Sequence, residues 1–408
     1  MRRSIPLHFD KGFFVAIKLS QRVQSIKPSP TLAVTARAAE LRAQGQDIIG
    51  LGAGEPDFDT PEHIKNAAKK ALDEGATKYA PVPGTPGLKK AVVDKFKRDN
   101  GLDYSADQIL VSVGGKQSFY NLFQALLDDG DEVVIAAPYW VSYPAMVQLA
   151  GGIPVVLEAG FDAEFKITPE QLEGAITPKT RCVVFNSPSN PTGKAYTKAE
   201  LAALGDVLKQ HPDVLVATDD MYEHILWTDE PFVNIVNACP DLFEQSIVMN
   251  GVSKAYSMTG WRIGYAGGPL PLIKAMSKIQ GQSTSGATTV SQKAAEAALN
   301  GDQGCVADMV KAFKERHDYV VDALNQLPGV RCLKSDGTFY AFPDFSEAIA
   351  ASGADNDVAF SEMLIEKANV ALVPGSAFGA EGHLRLSYAT SMDNLKKAID
   401  RIDSALRS

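Results

Sequence analysis

The 408-residue chain is short of several things, and each shortage removes a class of function. It has four cysteines, Cys182, Cys239, Cys305 and Cys332, no two of them close enough for a CxxC pair. That spacing excludes a thioredoxin-type redox motif and a cysteine zinc site, and dispersed free thiols fit a reducing cytosol. The six histidines are scattered, so no metal is expected. Positive charge is in deficit: 40 Lys and Arg against 49 Asp and Glu leave a net charge of −9. Nucleic acid is therefore not an expected partner, because neutralising phosphates takes clustered cations. No apolar run reaches the ~20 residues needed to span a membrane. The N-terminal "GFFVAI" is too short for a secretory core and directly follows Asp10 and Lys11. A cytoplasmic protein is the expectation.

What is present reads as an ordinary globular chain. Hydrophobic residues make up 45% and charged residues 22%, and the length allows two or three domains. Short apolar strands alternate with helical patterns through the middle: "QILVSV", "EVVIAA", "RCVVFN", "VLVATD" and "SIVMNG" are separated by segments such as "KAELAALGDVLKQ". Near-continuous apolar strands between helices predict a mostly parallel central sheet covered by helices, an α/β fold. After Thr284 the texture changes. An amphipathic stretch from about Val290 to Leu327 precedes "GVRCLKSDGTFYAFPDF", which reads as two strands across a turn. "NVALVPG" and "HLRLSYA" read as strands and "MDNLKKAIDRIDSALR" as a closing helix. The expected division is a loose extension over 1–18, an N-terminal segment over 19–60 joining a smaller α+β domain, a large ligand-binding domain over 61–300, and the small C-terminal domain over 301–408.

In open α/β sheets ligands sit at the carboxyl ends of strands, and the unusual residues fall there. "VGGKQ" opens a helix after the first strand, so its free N–H groups can hold a phosphate, although a glycine pair before a helix is often only a turn. The loop lacks the spacing of a Walker A motif. Trp140, in "PYWVSYP", is either core or a flat face for a ring. Asn190, in the rigid loop "FNSPSNPTG", is either a turn residue or an amide aimed at a ring oxygen. Asp219 ends a buried strand, where a carboxylate is costly unless it meets a cation, and Tyr222 follows three residues on. Lys254 lies just past the next strand, inside "NGVSKAYSMTGWRIGYAGG", with Arg262 beyond it. A ligand with an aromatic ring, a basic nitrogen, a phenolic oxygen, a phosphate and an aldehyde uses every one of these groups. Pyridoxal 5′-phosphate is such a ligand.

The motifs "LGAGEPDFDTPEHIK", "TKYAPVPGTPGLK", "VGGKQSFYNLFQALLDDGDEV", "PYWVSYP", "NSPSNPTG", "TDDMY", "SKAYSMTGWRIGYAGGP" and "HLRLSYATS", in this order, cover nearly the whole chain. Together they resemble the class I aminotransferases of fold-type I, and most closely the bacterial aspartate aminotransferase branch that includes prephenate aminotransferases. The resemblance implies that Lys254 is the Schiff-base lysine and proton shuttle, and that Asp219 keeps the pyridine nitrogen protonated. It implies Tyr222 and Asn190 at the ring oxygen, Trp140 stacked on the ring, and Gly115, Lys116 and Arg262 at the phosphate. Tyr79 is implied to reach the phosphate of a neighbouring subunit in a homodimer. Arg385 and the backbone of Gly54 are implied to bind the substrate α-carboxylate. Lys27 is a candidate for a second substrate carboxylate; its alternative is a solvated loop lysine. One departure stands out: many family members carry a serine three residues before the lysine, where this chain has Gly251.

The activity implied is transamination between aspartate and 2-oxoglutarate, with prephenate as an alternative or second substrate. Two rivals differ in class. A carbon–sulfur lyase on the same scaffold would form pyruvate from cystathionine without an oxo-acid acceptor. A cofactor-binding regulator is disfavoured because no basic recognition helix precedes "LGAGEPD".

Overall fold

The computed structural model describes residues 17–28 and 30–407; residues 1–16 of the predicted N-terminal extension lie outside the described residues. Its centre is a seven-stranded sheet. In spatial order the strands are Ile109–Ser112, Gly264–Gly267, Ser246–Gly251, Leu215–Asp219, Thr180–Asn186, Glu132–Ala137 and Ile153–Glu158. All neighbours pair in parallel except around Gly264–Gly267, which runs against both of its partners. The inner strands are mainly apolar because both of their faces are covered, whereas the edge strand Ile153–Glu158 stays partly exposed. On one face Ile109, Val134, Val183, Val216 and Val248 join one core; on the other Leu110, Val133, Cys182, Ala217 and Ile247 join a second.

Register brings the strand ends level. Asn186 pairs with Asp219, Asp219 with Met249, and Gly251 with Gly264. The loops that follow these ends therefore open on one edge of the sheet.

A third core lies beside that edge. It is built on the helices Gly304–Leu324 and Met392–Leu406 and the short strands Tyr340–Ala341, Val370–Ala371 and Leu384–Ser387. It also takes in Ile49 and Leu51 from the N-terminal part, together with Tyr222 and Ile225 from the loop after the Leu215–Asp219 strand. Ile49–Gly50 pairs in parallel with Val370–Ala371. The N-terminal segment is thus tied to the C-terminal part of the chain.

The amphipathic stretch from about Val290 to Leu327 forms two helices, Thr289–Asn300 and Gly304–Leu324, interrupted at the "GDQG" turn. Asp302 and Gln303 there bond local backbone groups. Of the two strands expected in "GVRCLKSDGTFYAFPDF", only Tyr340–Ala341 forms one. Arg331 makes an isolated bridge with Asp344 instead.

Candidate active site

A cavity of about 470 Å³ opens where the strand ends meet the third core. Lys254, Asp219, Tyr222, Trp140, Arg262 and Arg385 line it, and so do Gly54, Gly115, Lys116 and Asn190. Of the residues singled out from sequence, Tyr79 and Lys27 are elsewhere.

Lys254 and Asp219 form the centre. The Lys254 ammonium donates to the Gly54 carbonyl at 2.5 Å. Burial, with Arg385 adding repulsion, pushes its pKa down to about 8. Asp219 ends its strand buried. Its Oδ2 accepts from the Tyr143 hydroxyl at 2.5 Å and its Oδ1 from the Met221 N–H at 3.3 Å. Burial still pushes the carboxyl up to about 6, because Tyr143, the backbone and Lys254 offset only part of the desolvation. The same apolar enclosure that weakens the amine's hold on its proton strengthens the carboxyl's. An amine with its pKa lowered in this way is available as a nucleophile near neutral pH. A buried carboxylate facing the cavity lacks a full cationic partner, which a pyridinium nitrogen supplies.

One corner suits a phosphate. Gly114 precedes the helix Gly115–Leu126 with φ +82°, and no side chain caps the helix. A Cβ on Gly114 would fall on the Arg262 guanidinium, so glycine is required both by the backbone and by the approach. Arg262 is itself left-handed, φ +56°. It is steadied by the carbonyls of Thr259 at 3.0 Å and Val113 at 3.3 Å. An uncapped helix start beside a fixed guanidinium matches a phosphate dianion. Gly251 has a packing reason: a Cβ there would lie 3.0 Å from the Ile263 carbonyl and 3.2 Å from Gly264. A serine at this position has to push these neighbours back by a few tenths of an ångström.

The opposite corner suits a carboxylate. Arg385 is buried, donating from Nη1 to Asn190 Oδ1 at 2.9 Å and from Nη2 to the Gly52 carbonyl at 2.7 Å. Its guanidinium carbon lies 4.5 Å from the Tyr340 ring centre and 5.0 Å from that of Phe378. Its Nε has no partner, and no carboxylate pairs with it among the described residues. A buried guanidinium held only by neutral groups keeps its charge for an incoming anion. Lys116, at the helix start on the Arg262 side, adds a further cation. Its Nζ sits 5.2 Å from the Trp140 ring centre, and burial, then Arg262, lowers its pKa.

Lys27 is exposed, on the link between the helices Gln21–Gln24 and Pro30–Ala43. Thr31, Leu32 and Thr35 of the second helix line the cavity in its stead. Tyr79 is 98% exposed, beside a separate surface cleft formed with residues 286–290.

Several residues at or behind the site were missed from sequence. Tyr143 looks like a helical core aromatic, and Tyr340 like a strand core residue. Asn186 bonds both the Asp219 carbonyl, at 2.9 Å, and the Asn190 N–H, at 2.8 Å. Beside the next residue, Asp220, Lys95 is fully buried and ion-paired to Glu223. Asn100 and Asn250 donate to the same carboxylate at 2.8 and 2.9 Å. Glu223 also belongs to the one group of metal-type ligands among the described residues, with Asp99 and His224. Lys95 already supplies it with a cation.

These features suit a phosphorylated aldehyde cofactor and an anionic substrate, set in an α/β fold. The family model for class I and II aminotransferases matches residues 46–402, and the chain belongs to this family of pyridoxal-phosphate enzymes. It is 60% identical over 396 residues to the aspartate/prephenate aminotransferase of Nitrosomonas europaea, covering 96% of this chain and all of that one. Among solved structures it resembles the aspartate aminotransferase of Rhizobium meliloti, with a TM-score of 0.92 and 46% identity over 96% of this chain and 99% of that one. It also resembles the aspartate aminotransferase of Thermus thermophilus with maleate, with a TM-score of 0.90 and 46% identity over 95% and 100%. The protein is an aminotransferase, as its motifs imply.

Proposed function

We propose that the chain moves an amino group between aspartate and 2-oxoglutarate and that prephenate is a second acceptor. The observation that carries the reading is the convergence of Lys254, Asp219 and two anion-binding corners on one cavity. Relatives named for aspartate at high identity support the substrate, and one of them was solved with maleate, itself a four-carbon dicarboxylate. The shared name of the Nitrosomonas europaea relative supports prephenate.

Each side chain then has a task. Bound pyridoxal phosphate supplies a ring that spreads the negative charge left when the substrate loses its α-proton. Lys254 Nζ holds the cofactor before substrate arrives and moves the α-proton once released. Asp219 keeps the ring nitrogen protonated, supported by Tyr143. Tyr222 and Asn190 face the ring oxygen and Trp140 the ring plane. Arg262 and the helix start at Gly115 and Lys116 hold the phosphate, and Arg385 with Gly54 orients the α-carboxylate. For the second carboxylate of a dicarboxylic substrate, the Lys116 ammonium is better placed than Lys27. The enzyme is cytoplasmic and works as a homodimer in which the exposed Tyr79 serves the partner's phosphate. The division at about residue 300 separates the cofactor domain from a small domain that closes on substrate.

The test is steady-state kinetics with aspartate, alanine and prephenate on Lys116→Ala and Lys27→Ala. Loss of one charged hydrogen bond, about 1.5–3 kcal/mol, predicts a rise in aspartate KM of roughly 10- to 150-fold for Lys116→Ala, with alanine little changed. Equal effects of the two variants on aspartate would refute the assignment of Lys116.

A further inference from the structure

Tyr340 has no role in the reading above, yet it touches both halves of the site. It is fully buried and lines the cavity. Its hydroxyl lies 3.0 Å from the Tyr222 hydroxyl. Its ring centre lies 4.5 Å from the Arg385 guanidinium carbon. A Cβ on Gly54 would come within 3.2 Å of the same hydroxyl, so the phenol is seated between the Gly54 backbone, Tyr222 and Arg385. Tyr340 belongs to the short strand paired with Leu384–Ser387, which carries Arg385. Its position is therefore fixed from the same strand pair as the guanidinium it supports.

We propose that Tyr340 is a positioning residue with two separable tasks: its hydroxyl aims and strengthens the Tyr222 hydroxyl, and its ring seats Arg385. The inference rests on the proposed placement of Tyr222 at the cofactor's ring oxygen and of Arg385 at the substrate carboxylate.

The chemistry of the hydroxyl pair follows from competition for one proton. Either phenol can donate to the other. When an anionic ring oxygen faces Tyr222, that oxygen is the stronger acceptor, and Tyr222 donates to it. Tyr340 then donates to Tyr222, and the two bonds run in one direction. Such a chain strengthens its terminal bond through mutual polarisation. A stronger donor at the ring oxygen favours the form of the bound cofactor with full negative charge there. That form has lost its proton, so the wild-type chain lowers the pH at which the bound cofactor titrates. The ring's task is independent of the hydroxyl. Arg385 is flanked by two aromatic faces, Tyr340 and Phe378, which replace water around a charge that must stay ionised and aimed.

The experiment uses the holoenzyme and two variants. Tyr340→Phe keeps the ring and loses the hydroxyl; Tyr340→Leu loses both. The readouts are the pH midpoint of the bound cofactor's absorbance and the KM for aspartate. For Tyr340→Phe the midpoint rises by about 0.3 to 0.5, the size of cooperative support in one hydrogen-bond chain, and KM stays within twofold. For Tyr340→Leu, KM rises about 2- to 30-fold, the span of a cation–π contact from exposed to desolvated. Tyr222→Phe is the control and shifts the midpoint in the same direction by more. If Tyr222→Phe shifts the midpoint and Tyr340→Phe does not, the Tyr340 inference is overturned and the proposed site stands. If neither shifts it, the placement of Tyr222 falls and the inference with it. A KM that rises equally in Tyr340→Phe and Tyr340→Leu also overturns the division of tasks.

Discussion

Replacing Tyr143 by Phe removes one hydroxyl from behind the cavity, and its effect can be worked out. Asp219 is buried, and its carboxyl is pushed from the usual 3.8 up to about 6 in the cofactor-free protein. A folded pKa above the unfolded one means that the unfolded chain ionises first. Stability from this group is therefore full below about pH 4 and is lost as pH rises to about 6. A displacement of about two pH units corresponds to roughly 3 kcal/mol. The Tyr143 hydroxyl, 2.5 Å from Oδ2, works against that displacement by stabilising the ionised form. Hydrogen bonds to charged groups contribute about 1.5–3 kcal/mol, so Tyr143→Phe raises the Asp219 pKa by about 1–2, to roughly 7–8. The loss of stability then continues through pH 6 to about 8 and totals roughly 4–6 kcal/mol. The assay is urea denaturation of cofactor-free protein from pH 4 to about pH 9, each curve referred to Asp219→Asn, which cannot titrate there. Wild type flattens above about pH 6, and Tyr143→Phe keeps falling to about pH 8. Parallel curves for the two would refute the claim that Tyr143 holds the charge on Asp219.

Two further consequences concern the ground beneath the site. Lys95→Met strands a buried carboxylate on Glu223 and costs about 3–5 kcal/mol in urea unfolding of the holoenzyme, against about 0–1 for an exposed pair; a cost below 1 kcal/mol would contradict the buried pairing. Gly251→Ser drives a side chain toward the Ile263 carbonyl and costs about 1–3 kcal/mol without tightening the cofactor; titration with pyridoxal phosphate and thermal unfolding test both halves, and tighter binding at unchanged stability would contradict the packing argument.

The parts of the site legible in the sequence are those whose chemistry is out of place locally. Asp219 at the end of an apolar strand and Lys254 in neutral surroundings are conspicuous for that reason, and glycines before a helix mark the corner suited to a phosphate. Alternating apolar strands and helices predict the sheet, since burial on both faces leaves a run of Val, Ile and Ala. What was not legible depends on distant partners. Lys95 sits in a helix rich in charge and looks solvated, yet its ammonium reaches Glu223 across 128 positions of chain. Tyr143 and Tyr340 carry a polar atom on an apolar body, and only the tertiary structure tells which acceptor that atom meets. The charge of Lys27 says nothing of its distance from a cavity, and the structure leaves it at the surface. The strand expected near Arg331 shrank to one antiparallel bridge with Asp344: on one side the helix Ser346–Ser352 begins, and on the other Pro343 has no N–H for the ladder.

The central claim is that Lys254 is the group through which cofactor and substrate are handled. Its most direct test is a single-turnover absorbance scan of the purified holoenzyme on adding aspartate, run beside Lys254→Ala reconstituted with pyridoxal phosphate. The account predicts that aspartate converts the wild-type cofactor band within the dead time or the first turnover, and that Lys254→Ala is slower by at least about 10²–10⁴-fold. A variant that converts at the wild-type rate, or a wild type with no cofactor band to convert, would contradict it.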